Sequence, residues 1–121
     1  MKYKVFVYGT LRKEGSLHYM IDKEPVAMAK LRGFKMYNLG AYPAITPSND
    51  FNDIIVGEIY EITEEKFLQI STMERCAGYT IYHSAEIGAY LYVYDKINNE
   101  KQQIKSGDWI EFESKGGYDG C

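Results

Sequence analysis

Val56-Gly57-Glu58-Ile59-Tyr60-Glu61-Ile62-Thr63-Glu64-Glu65-Lys66-Phe67-Leu68-Gln69-Ile70-Ser71-Thr72-Met73-Glu74 decides the fold class of this chain, because it reads as a strand at one end and a helix at the other. From Val56 to Ile62 the side chains suit a pleated surface, with Glu58 alternating with Val56 and Tyr60. Thr63 then supplies a hydroxyl for the unpaired amides of a helix start, and Glu64 and Glu65 suit its positive end. A helix is therefore expected from about Glu64 to Met73. A strand feeding a helix, with further strand patterns on both sides, places the chain in the α+β class.

Upstream, Lys4 to Tyr8 reads as a buried strand that Gly9-Thr10-Leu11 interrupts. Ser16 to Ile21 reads as a short helix ending before Pro25, and Leu31 to Leu39 as an aromatic-rich strand. Gly40, Pro43 and Pro47 predict an irregular stretch after it. Downstream, Tyr79 to Ile87 and Ala89 to Asp95 read as two strands with Gly88 at the turn. The run Ala89-Tyr90-Leu91-Tyr92-Val93-Tyr94 is apolar or aromatic on both faces, as in an internal strand. Asn98-Asn99 predicts a turn, and Gly107 to Phe112 a last short strand. The sum is a single mixed, barrel-like β-sheet of about six or seven strands with two short helices. It forms one domain over residues 1–114, followed by a flexible tail over 115–121.

Composition bounds what such a domain does. A chain of 121 residues with 45% hydrophobic and 26% charged side chains can bury one core without metal or disulfide staples. Twelve tyrosines against one tryptophan favour half-buried sheet surfaces. A net charge of −3 with mixed signs argues against a nucleic-acid partner, which would need a concentrated basic face. No apolar run is long enough to span a membrane, and the opening Met1-Lys2-Tyr3-Lys4-Val5-Phe6-Val7 lacks a signal-peptide pattern, so a cytoplasmic protein is expected. In that compartment a Cys76–Cys121 disulfide is disfavoured. With only His18 and His83 as further soft ligands, and no paired spacing, no metal is expected.

Two segments can carry chemistry. Tyr8-Gly9-Thr10-Leu11 reads either as an ordinary turn or as a nest of amides that binds a carboxylate or phosphate, with Arg12 and Lys13 adding positive potential. On the expected helix, Phe67, Ile70 and Glu74 share one face, so the carboxylate either follows the apolar stripe inwards or bends out to pair with Arg75 or Lys66. An inward carboxylate has its pKa raised by desolvation and becomes a proton carrier near neutrality. Glu58 faces inwards on the same alternation, as a second acid or as a partner for a buried backbone or tyrosine group. Cys76 with His83 can be written as a nucleophile and base, but no third, orienting group is evident. Tyr79, Tyr82, Tyr90, Tyr92 and Tyr94 are read mostly as packing, with one or two lining a pocket.

Taken in order, Val7-Tyr8-Gly9-Thr10-Leu11-Arg12, Tyr42-Pro43-Ala44-Ile45, Val56-Gly57-Glu58-Ile59-Tyr60, the helix leading to Glu74 and then Tyr82, and Ser106-Gly107-Asp108-Trp109 resemble the γ-glutamylcyclotransferase-like (AIG2-like) family. The resemblance runs from residue 5 to about 112. Ser71 stands where family members often carry an aspartate and Arg75 where a glycine is common, while Cys76 is similar to the γ-glutamylamine branch.

What the resemblance implies is a barrel-like fold with a pocket between the Tyr8–Leu11 loop and Glu74. In it a small γ-glutamyl compound is bound by Tyr8, Gly9, Thr10, Leu11 and Tyr82 and cyclised to 5-oxoproline, with Glu74 as general base and acid. No cofactor is expected, and the working unit is a monomer or homodimer. Two rivals stand beside this reading: a γ-glutamylamine cyclotransferase, and a non-catalytic module of the same fold that binds a small carboxylate.

Overall fold

The computed structural model describes residues 1–94, 96–97 and 101–116. Over these the chain runs β1 (Lys2–Val7), a 3-10 turn (His18–Met20), β2 (Ala27–Arg32), β3 (Phe34–Asn38), β4 (Pro43–Pro47) and β5 (Ile54–Thr63). It continues through α1 (Glu64–Cys76), β6 (Thr80–Ser84), β7 (Ala89–Val93), β8 (Gln102–Ile104) and α2 (Trp109–Ser114). The class is α+β, as expected. The strands divide into a five-stranded sheet in the order β2-β5-β1-β7-β6 and a three-stranded sheet in the order β4-β3-β8. The two are not closed into a continuous barrel. They are stitched by Tyr94, whose amide donates to the Ile45 carbonyl at 2.9 Å, and by Val56, whose amide donates to Gly107 at 2.8 Å.

β1 is the middle strand of the larger sheet, antiparallel to β5 from Lys2↔Thr63 to Val7↔Glu58 and parallel to β7 at Val5↔Tyr90. Its apolar run serves both faces. Phe6 packs into a core with Leu31, Met36, Ile45, Leu91 and Trp109, while Val5 and Val7 pack into a second core with Phe67 and Ile70 of α1. Each large side chain fully removed from water there contributes about 1.5–3 kcal/mol. Thr63 caps α1 as anticipated, its hydroxyl accepting from the Lys66 amide at 3.2 Å, and the helix extends one turn past Met73 to Cys76.

Four local expectations are corrected. The stretch Leu31–Leu39 is two strands in different sheets, because Gly33, at φ 84°, turns a corner that a side chain would oppose. Pro43–Pro47, expected to be irregular, pairs with β3 from Phe34↔Pro47 to Asn38↔Pro43; it is an edge strand with its prolines at the ends, where a missing N–H is tolerated. Ser16–Ile21 gives only the 3-10 turn at His18–Met20. The last expected strand is instead α2, started by Asp108, whose carboxylate accepts from the Glu111 amide at 3.1 Å. The expected Asn98-Asn99 turn, the Asp95 end of β7 and residues 117–121 of the tail lie outside the described residues.

Candidate active site

A cavity of about 160 Å³ opens where the exit of β1, the start of β4, the end of α1 and β7 converge. It is small beside the ~300–1,000 Å³ of drug-sized sites and suits a small metabolite. One wall is continuous chain from Phe6 to Leu11. Opposite it stand Met73, Glu74 and Ala77 at the end of α1, and Tyr42, Pro43, Tyr79 and Tyr92 complete the enclosure.

The geometry of the loop after β1 follows from two constraints. A side chain on Gly9 would bring its Cβ to 2.7 Å from Pro43 Cδ and 2.8 Å from Cγ, so only glycine lets β4 approach this closely. The loop's carbonyls are turned into the protein. Gly9 accepts from the Arg12 amide at 3.0 Å, Thr10 from the Leu17 amide at 2.8 Å, and the Leu11 carbonyl lies 3.1 Å from His18 Nδ1. The amides of Gly9, Thr10 and Leu11, by contrast, donate to no acceptor among the described residues.

Arg12 does not add free positive potential to this loop, as the sequence had suggested. It is buried, with Nε donating to Glu58 at 2.9 Å and Nη1 to Asp108 at 2.8 Å. Lys13 turns outwards to Glu24, while its amide donates to Glu58 at 2.8 Å. Glu58 also accepts from the Tyr60 hydroxyl at 2.7 Å, so it is the partner of buried groups rather than a second acid in the cavity. Burial pushes Glu58 up, but hydrogen bonds from Arg12, the Lys13 amide and Tyr60, with the Arg12 charge, outweigh it and hold the carboxyl below its ordinary value. This cluster clamps the loop from behind.

Glu74 has the opposite environment. It lines the cavity, and among the described residues it forms no ion pair with Arg75 or Lys66. Desolvation therefore acts unopposed and pushes its pKa up to about 7. Among the described residues it is the only lining side chain that carries a charge. Burial, foremost, raises the Tyr8 and Tyr79 phenols, and Tyr92 is pushed up to about 12, so these three hydroxyls remain protonated where Glu74 titrates.

The structure brings Tyr8, Gly9, Thr10, Leu11 and Glu74 to one cavity and leaves Tyr82 outside it. Tyr82 is exposed on β6, its ring edge-on to Phe34 at 5.9 Å. Tyr79 and Tyr92 occupy the wall instead, two members of the tyrosine set read mostly as packing. Tyr79 donates to the Pro43 carbonyl at 2.6 Å, tying β4 to the end of α1. Ser71, at the position where an aspartate is common, is buried 2.7 Å from the Tyr92 hydroxyl. Cys76 is free and exposed, and His83 rests against the Tyr90 ring at 4.7 Å; among the described residues no hydrogen bond joins the two. No cluster of metal-ligating side chains occurs among the described residues, and none of their helices is long and apolar enough to cross a membrane.

Residues 5–111 match the family described as gamma-glutamyl cyclotransferase, AIG2-like. The chain belongs to that family. Among AIG2-like relatives, the gamma-glutamylcyclotransferase family protein YtfP of Escherichia coli K12 is 28% identical over 112 residues, which is 89% of this chain and 96% of YtfP. The solution structure of ytfP superposes with a TM-score of 0.69 over 91% of this chain and 98% of that one. The crystal structure of the uncharacterized protein PH0828 of Pyrococcus horikoshii, 25% identical, superposes with a TM-score of 0.79 over 98% and 99%. The fold is thus shared along almost the whole chain.

Proposed function

We propose that this protein is a cytoplasmic γ-glutamyl cyclotransferase in which Glu74 carries the proton. The observation that carries this reading is a carboxyl raised to about 7 by desolvation, lining the same small cavity as Gly9, Thr10 and Leu11, whose amides have no acceptor among the described residues. The substrate's α-carboxylate or its developing oxyanion takes the amides of Gly9, Thr10 and Leu11. Its α-ammonium faces Glu74. A free α-amine has a pKa of about 7.7–8.0, so at neutral pH it must lose a proton before it can attack. Glu74 takes that proton at nearly matched pKa, the condition under which general acid–base catalysis works best.

The freed amine attacks the γ-carbonyl carbon of its own molecule and closes a five-membered ring through a tetrahedral oxyanion. Attack leaves a surplus proton on the ring nitrogen; Glu74 gives its own proton to the leaving nitrogen as collapse breaks the C–N bond, then takes the surplus ring proton and passes it to the released amine. The products are 5-oxoproline and a free amine or amino acid. Because nucleophile and electrophile share one chain, the protein has only to hold that chain folded and relay protons from one nitrogen to the other, and no cofactor enters the scheme.

The test is 5-oxoproline release from a panel of γ-glutamyl dipeptides and γ-glutamylamines, with Glu74→Gln alongside. Release by the wild type and a loss of about 10²–10⁴-fold in the variant are expected. Near-normal turnover by Glu74→Gln would remove the role assigned to this residue. No release from any member, together with binding of small carboxylates, would favour the non-catalytic reading.

A further inference from the structure

The loop amides of Thr10 and Leu11 each belong to a peptide whose carbonyl is held by a donor inside the protein. In a trans peptide the N–H points away from the carbonyl, so whatever holds the carbonyl also aims the amide. The Thr10–Leu11 peptide is held directly, its carbonyl accepting from the Leu17 amide at 2.8 Å. The Gly9–Thr10 peptide is held through one more link. Its carbonyl accepts from the Arg12 amide at 3.0 Å, and the Leu11–Arg12 peptide that supplies this amide has its own carbonyl 3.1 Å from His18 Nδ1. A carbonyl oxygen carries no hydrogen, so Nδ1 is the donor. His18 therefore heads a line that runs from its ring through two peptides and ends at the Thr10 amide.

The segment after Arg12 is folded so as to bring this ring back. The Gly15 amide donates to the Arg12 carbonyl at 2.7 Å and the His18 amide to the Gly15 carbonyl at 3.2 Å. A Cβ on Gly15 would lie 2.3 Å from the Thr10 carbonyl oxygen, so only glycine lets the returning chain pass so close to the loop. The imidazole packs against the Tyr60 ring at 5.7 Å, and the Tyr60 hydroxyl is bound to Glu58 of the clamp. The backbone of His18 has further ties, its carbonyl accepting from the amides of Ile21 and Asp22 at 2.9 Å. A change of this side chain thus removes one link and leaves the bonds of the turn in place. The ring itself does not line the cavity, and any effect it has on a bound molecule passes through the loop.

We propose that His18 is a positioning residue: its Nδ1–H, acting through the Leu11–Arg12 and Gly9–Thr10 peptides, aligns and polarises the Thr10 amide that meets the substrate's carboxylate or oxyanion. The kinetic consequence rests on the cyclotransferase reading above; the state of the amide does not. Hydrogen bonds in line strengthen one another by about 10–30% each, and outright loss of an oxyanion donor costs about 10²–10³-fold, so losing the head of the line, with its alignment, should cost about three- to tenfold. The Leu11 amide is the internal comparison, because the Leu17 amide holds its peptide without His18.

The experiment compares three variants with the wild type. His18→Asn carries an amide N–H where Nδ1 stands, His18→Gln carries it at the Nε2 position, out of reach of the Leu11 carbonyl, and His18→Leu carries none. Amide NMR spectra are recorded free and during titration with 5-oxoproline, and kcat/KM is read from 5-oxoproline release. In His18→Leu and His18→Gln the Thr10 amide proton of the free protein should move upfield, with the Leu11 amide moving less. Binding of 5-oxoproline and kcat/KM should both fall at least about threefold in these two, and His18→Asn should restore all three readings. An unmoved Thr10 amide, a loss below threefold in both measures, or equal losses in His18→Asn and His18→Leu would overturn the proposal, the last by making His18 a matter of packing. Were one donor-less variant to fail to fold, the other carries the comparison. The expected shifts and binding without release from any γ-glutamyl compound would uphold the positioning and refute the reaction. No binding of 5-oxoproline by the wild type would refute the anion-binding role of the loop and the proposal with it.

Discussion

Replacing Arg12 by methionine removes a cation and keeps most of the buried stem. In the native structure its guanidinium faces Glu58 at 2.9 Å and Asp108 at 2.8 Å, with Arg12 and Glu58 side chains only 7% and 6% exposed. Asp108 is 25% exposed and can turn to water; Glu58 cannot. Stranding one partner of a buried pair costs about 3–5 kcal/mol, most of it the desolvation of the charge left behind. For a domain of this size that corresponds to a fall in Tm on the order of 10–20 °C. The pH dependence separates this cause from a packing defect. In the wild type Glu58 is held below its ordinary value, so its pairing contributes stability above the unfolded carboxylate pKa of about 4.3 and loses it as pH falls through the folded value. Without Arg12, burial dominates and the folded carboxyl rises, so the variant carries a penalty at neutral pH that fades as Glu58 takes up a proton. Urea denaturation of both proteins between pH 8 and 4 should show the gap widest at neutral pH and narrowing towards pH 4. A gap below about 1 kcal/mol at pH 7, or one that is flat with pH, would refute the reasoning.

Three further substitutions test other parts of the structure. Glu74→Gln should be more stable than the wild type at pH 8 by about 1–3 kcal/mol and equal to it below about pH 4.5, because a carboxyl raised to about 7 destabilises the fold only once ionised; chemical denaturation at the two pH values checks it. The same titration should give wild-type kcat/KM an acid limb near pH 7, read from initial rates of 5-oxoproline release. Gly9→Ala should cost about 1–3 kcal/mol in thermal melts and more than tenfold in kcat/KM, since its Cβ would lie 2.7 Å from Pro43. Tyr79→Phe leaves the Pro43 carbonyl without its 2.6 Å donor and should cost about 1–2 kcal/mol in urea denaturation.

What the sequence revealed was local, and what it concealed was held at a distance. Thr63 with Glu64 and Glu65 announced α1 because a cap and its amides are neighbours in the chain. Helical spacing put Glu74 on the face of Phe67 and Ile70 but left open whether its carboxylate turned inwards or out to Arg75 or Lys66, which the packing around the cavity decides. Pro43–Pro47 was hidden because its strand character comes from pairing with β3 rather than from its own propensity. The start of α2 did carry a local signal, Asp108 three residues before Glu111, which the strand-like run of Trp109, Ile110 and Phe112 masked. Arg12 was read as a loop charge because its partners, Glu58 and Asp108, lie 46 and 96 positions away. Choosing among the tyrosines needed the tertiary fold, which sets Tyr79 and Tyr92 in the wall and leaves Tyr82 on the outer face of β6.

The position of β1 at the middle of the larger sheet has a bearing on how the protein comes into being. This strand leaves the ribosome with both edges unfilled until β5 and then β7 are made, and the clamp on the loop that follows it, begun by Glu58, is completed only when Asp108 arrives. Synthesis proceeds at about 5–20 residues per second, so an apolar strand waits for seconds with no partner. Such long-range closure belongs to the slower end of small-domain folding, about milliseconds to seconds. A nascent chain stopped short of residue 108 therefore holds the motif from Tyr8 to Arg12 with only the Glu58 half of the anchor behind it, and the clamp closes among the last events of folding.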